Sequence, residues 1–230
     1  MISKFFKNVV ISFICLFITL GLTVFILNWD KHTLEIMNLG VFFIKILPFV
    51  FAMAAICFFP FDRVNVPLKL LFVLFSFGVI FSYGFCKLIF LFLKQVEYQE
   101  FYLLLQMITP IIILSLALAL RCGGMLAKDV AVFGAIAFIY MVSGIEDLMA
   151  QVVRMSSPGY VFPETWDWAT HMTIFVGRPL NKYEAFVFIG IHFVIIALIL
   201  YIAYAKNNIF MRLSKKLYNK ILATNDISKQ

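Results

Sequence analysis

Residues 184–205 read EAFVFIGIHFVIIALILYIAYA. After Glu184 the run meets no Asp, Glu, Lys or Arg until Lys206, and it has the length of about 20 apolar residues that a helix needs to cross a bilayer. Within that layer the backbone has no water to bond, so a lone segment of this kind must be helical. Five comparable runs precede it, at about 9–27, 40–60, 68–93, 101–120 and 130–150. The pattern predicts an all-α, polytopic integral membrane protein, a bundle of six transmembrane helices over residues 1–205 followed by a tail.

Composition agrees. Of 230 residues, 63% are hydrophobic and 13% charged, whereas a soluble domain is about half apolar and about a quarter charged. A water-soluble monomer is therefore excluded, and 28 Phe exclude a disordered chain. Lys4 and Lys7 ahead of the first run resemble a signal peptide. That run nevertheless continues to Leu27 and meets Asn28, Trp29 and Asp30 instead of a small-residue cleavage site, so it is expected to stay as a span. Cys15, Cys57, Cys86 and Cys122 lack CxxC spacing, which predicts small buried residues and neither a disulfide framework nor a zinc site.

The net charge of +7 sorts by side. Six crossings put both termini on one face; with that face cytoplasmic, 12 basic residues lie inside and 5 outside, as the positive-inside rule requires. The chain is therefore expected in the cell membrane, in multi-pass form, with the N and C termini cytoplasmic. Nucleic acid is excluded as a partner, since no basic stretch carries interleaved stacking aromatics. In the tail, residues 206–230, Ile209, Leu213, Leu217 and Ile221 recur every fourth residue between Arg212, Lys215, Lys216 and Lys220, a pattern for a basic amphipathic helix on an anionic leaflet.

The opposite face collects the chemistry. All three histidines, all three tryptophans and nine of twelve carboxylates fall there. Lys45, Lys87 and Glu146 lie roughly 6 to 9 Å into the apolar layer and His192 about 12 Å, counted at the helical rise. Buried charge is costly in lipid, so such groups face a bundle interior or a wet cavity, although a lysine stem can also snorkel to the headgroups. The segment 151–183 is too polar for a span. Pro163, Glu164 and Asp167 at its start and Gly177 with Pro179 at its end predict a short interfacial or re-entrant helix over about 163–177. Such a helix would set Glu164, Asp167 and His171 on one face, with Arg178 near it, and would turn Trp166, Ala169, Thr173 and Ile174 toward the membrane.

Glu146, Asp147, Asp167 and His171 are the candidate catalytic groups, as acid, base or ligands to a divalent metal. Lys45, Lys87, Arg178, Trp166, Trp168 and His192 are the candidate substrate-binding groups. An Asp–His pair is also an ordinary contact, and His192 also suits a histidine bonded to a neighbouring helix. The chain has no GxSxG, P-loop, Rossmann glycine pattern or haem histidine pair. These features favour a membrane-embedded enzyme or binding protein for a lipid or isoprenoid-like amphiphile, with membrane lipid and an amphiphilic small molecule as partners. Two alternatives stand beside it: a small proton- or cation-coupled transporter or channel using Glu146, Asp147 and His192, and a scaffold subunit packed against a membrane protein partner.

Overall fold

The fold comes from a computed structural model, and the described residues are 2–29, 38–78, 98–155 and 158–205. They form α1 (Ile2–Trp29), α2 (Leu39–Phe58), a 3-10 turn (Phe61–Arg63), α3 (Val66–Gly78), α4 (Tyr98–Cys122), α5 (Ala127–Met141) and α6 (Ile145–Arg154). There follow β1 (Thr165–Trp166), α7 (Thr170–Val176), β2 (Leu180–Asn181) and α8 (Lys182–Tyr204). Lys87, the later part of the expected 68–93 run and the 206–230 tail lie outside the described residues.

The protein is mostly helical, with membrane-spanning character. Residues Phe5–Asn28 of α1, together with α2 and α8, are long and apolar enough to cross a bilayer, and α5 with α6 adds a fourth candidate span if the bent pair is taken as one. Val66–Ser76 and Ile108–Cys122 are shorter apolar helices. Large side chains such as Phe17 on α1 (72% exposed) and Val194 on α8 (68% exposed) point outward. In water such surfaces would be a strong aggregation liability, whereas lipid accepts them.

Inside, Phe49 and Met53 of α2, Ile113 and Ala117 of α4, and Val130 of α5 form one core. Small residues bring the helices close: a Cβ added at Gly134 would stand 2.5 Å from Met53 Cε. Ser12 Oγ donates to the Ala55 carbonyl at 2.8 Å and ties α1 to α2. Lys128 Nζ donates to the Ala203 carbonyl at 2.6 Å, and Tyr204 donates to Asp129 at 3.0 Å. These two bonds fasten the start of α5 to the end of α8, so the pair runs antiparallel. At this same end Arg121, itself buried, holds Asp62 at 3.2 Å and the Met125 carbonyl at 3.1 Å.

A second core lies at the opposite end. Trp166, Ala169, Met172 and Leu180 pack against Ala185 and Ile189 of α8, with Ile145 and Leu148 of α6 beside them. The helix expected over 163–177 is here corrected to Thr170–Val176. The preceding residues are extended, with Thr165 opposite Asn181 and Trp166 opposite Leu180 in an antiparallel pair. Burying the whole Trp166 indole against this core outweighs the local helix signals of Pro163 and Glu164. Trp166 and Ala169 therefore face the protein interior and not the membrane.

The expected run 130–150 is bent in the structure. It breaks after Met141, and α6 leaves at 50° to α5.

Candidate functional site

The break is built from Ser143 and Gly144. Ser143, fully buried, donates its hydroxyl to the Tyr140 carbonyl at 2.7 Å and accepts the Ile145 N–H at 3.3 Å. It thereby satisfies backbone groups that the interrupted helix leaves open. Gly144 takes φ +76°, a left-handed conformation that side-chain-bearing residues adopt at a cost. A Cβ there would also fall 1.8 Å from Met172 Cε and 3.0 Å from His171 Nε2. The missing side chain is thus what lets α7 settle onto the kink.

Two consequences meet at this point. The new helix α6 opens with Glu146 and Asp147 in its first turn, where the helix dipole favours negative charge. From the cap formed by β1, α7 and β2, α7 sets the His171 imidazole beside them. Ligand atoms of Glu146, Asp147 and His171 all lie within 4.8 Å of one another. His171 Nδ1 is 3.9 Å from Asp147 Oδ2, and the two side chains are 18% and 14% exposed. The Trp168 side chain lies beside the Asp147 carboxylate. His171 Nε2 is buried and has no hydrogen-bond partner among the described residues. Burial, reinforced by nearby His192, pushes the His171 pKa down to about 4, so the ring is neutral at neutral pH, with its lone pair free to bind a cation.

The remaining expected site residues separate from this cluster. Asp167 is exposed, outside the shortened α7. Glu164 leaves the expected common face altogether and pairs with Lys182 at 2.7 Å. Arg178 is held by Glu184 at 2.9 Å, and this carboxylate raises its pKa further. His192 bonds the Phe188 carbonyl of its own helix at 2.8 Å, not a neighbouring helix, and its ring lies 4.4 Å from that of Phe188. Trp166 is stacked on Trp168 with centroids 5.7 Å apart and is closed off from solvent and lipid, so its place is in the core beneath the site. Lys45 is half-buried on α2, one turn from Phe42, whose ring meets Phe175 of the α7 helix edge-on at 5.3 Å.

Beside the cap, Val176, Leu180, Tyr183, Val187, Phe188 and Ile191 line an open, apolar groove of about 390 Å³ along the first turns of α8. Ser143, Gly144 and Met172 are the contributors that a reading of polar residues overlooks. The adjacent Ser–Gly pair inside an apolar run, followed by the amphipathic stretch IEDLMAQVVR, was the available signal. Buried Gln151 on that stretch accepts a hydrogen bond from Tyr160, which ties the segment ahead of β1 back to α6.

Chemically, two carboxylates and a neutral imidazole at this separation can accept or pass a proton, or ligate a cation. Comparison of the chain with protein-family models, with curated proteins and with solved structures yields no match.

Proposed function

We propose that this is a six-span protein of the cell membrane with cytoplasmic termini, acting as a membrane-embedded enzyme or binding protein for a lipid or isoprenoid-like amphiphile at the outer face. Glu146, Asp147 and His171 engage the polar head, and the groove along α8 takes the apolar tail. The observation that carries this reading is the convergence of three titratable side chains, from two separate segments, at a broken helix. Titratable groups gathered at such a place are expensive in a membrane protein, and their usual reason is function. The outward placement follows from the basic residues, which concentrate at the other ends of the helices.

The transporter reading is less well supported. Neither α5 between Asp129 and Glu146 nor α8 beyond His192 carries a further ionisable side chain other than tyrosine, so these helices offer a proton no obvious relay to the cytoplasmic side.

The test is lipid retention. The full chain, purified in mild detergent, is extracted and its bound amphiphiles are quantified by mass spectrometry beside those of Glu146→Gln, Asp147→Asn and His171→Gln. A species retained by the wild type and lost in the three folded variants supports the reading. Equal retention by all four contradicts it.

A further inference from the structure

The geometry points to a divalent transition-metal site, of the Zn2+ or Mn2+ class, held by Glu146, Asp147 and His171; the inference rests on the functional reading above and names what that centre would use. Three observations carry it. The donor atoms come from two segments and already lie within 4.8 Å of one another, while ligands about 2.0 to 2.2 Å from a common ion stand roughly 3 to 4 Å apart. Small side-chain rotations close that difference.

The second observation is the gap between His171 and Asp147. At 3.9 Å, Nδ1 and Oδ2 are too far apart for a hydrogen bond, with the imidazole packed against Gly144 and Trp168 beside the carboxylate. Two nitrogen- or oxygen-to-metal bonds fill a separation of this size. Trp168 is thereby placed where the outer hydrogen-bond donors of metal centres stand, beside a ligating carboxylate.

The third is charge. Asp147 stands directly beside Glu146 in sequence and space, one carboxylate part-buried and the other exposed, and a cation held between them relieves their mutual repulsion. One nitrogen and two oxygen donors select a borderline cation over Ca2+ or Mg2+, which prefer oxygen-only shells. Three protein ligands leave a coordination position open, the arrangement of metal sites that bind or activate a further molecule.

The experiment uses the full chain in detergent, stripped with chelator and titrated separately with Zn2+ and with Mn2+, with Co2+ as a spectroscopic substitute for Zn2+. Thermal unfolding of the metal-free samples checks that each variant is folded. One Zn2+ per chain is expected, with loss of binding in Glu146→Gln, Asp147→Asn and His171→Gln and retention in Glu164→Gln and Asp167→Asn. Absence of saturable Zn2+ and Mn2+ binding by the wild type, or binding that all three ligand variants leave intact, overturns the inference. Lipid retention measured on the same samples separates the two ideas. Site-dependent lipid retention without metal binding overturns the metal site alone, and site-dependent metal binding with lipid retention indifferent to all three substitutions overturns the functional reading alone.

Discussion

His171 Nδ1 stands 3.9 Å from Asp147 Oδ2 across a turn that only a glycine allows. Neither residue is close to the other in sequence. Gly144 brings them together twice over, by turning the chain out of α5 so that Asp147 opens a new helix, and by leaving a space that Met172 and His171 fill. A site of this construction fails when its hinge is altered, even though the hinge carries no chemistry.

Gly144→Ala should therefore destabilise the protein by about 2 kcal/mol or more, from the left-handed backbone and the overlap with Met172 together. Gly159 supplies the control. It has φ +77° but nothing within 4 Å of an added Cβ, so Gly159→Ala should lose only the backbone contribution of about 1 kcal/mol. Thermal unfolding of both variants in detergent measures the difference; equal losses would show that packing at Gly144 does not matter.

Acid should weaken the metal-free protein through His171. Its native pKa, near 4, lies below the ordinary value for histidine of about 6.5, so the unfolded chain takes the proton first as the pH falls. The stability held by the neutral buried ring is complete above about pH 6.5, declines toward pH 4 and changes little below. Its full extent is a few kcal/mol. Chemical denaturation across this range should show the wild type losing more stability toward low pH than His171→Gln does. Identical profiles would mean that the imidazole is not desolvated in the native state.

The orientation has its own test. Single cysteines at Val161, which is 82% exposed beside the cap, and at Leu126, 68% exposed between α4 and α5, should label from opposite sides of sealed cells once the native thiols are removed. Outside access is expected for Val161→Cys and protection for Leu126→Cys. The reverse would place Glu146, Asp147 and His171 on the cytoplasmic face.

The helical, membrane-spanning character was legible because lipid imposes it on every residue of a long run: the stretch 184–205 corresponds to α8, Lys182–Tyr204, and 40–60 to α2, Leu39–Phe58. Helix signals failed at 163–177, where Pro163, Glu164 and Gly177 speak only for local preference. The pairing of Trp166 with Leu180 and the burial of its indole depend on a partner that no periodicity reveals. The site was legible in part. Glu146, Asp147 and His171 stood out as polar groups near apolar runs, and the structure brings them together. Asp167 was joined to them by a helical spacing that the extended chain at 165–166 removes, and Arg178 is engaged by Glu184. Lys87 lies outside the described residues.

The central claim is that Glu146 and His171 act as parts of one centre, and a double-substitution measurement of lipid retention tests it most directly. Residues that work as a unit are non-additive, since removing either already removes the function. Glu146→Gln, His171→Gln and the double variant, each verified as folded, should lose the retained amphiphile to the same extent. Single variants that retain it as the wild type does, or losses that multiply in the double variant as for two independent contacts, would contradict the account.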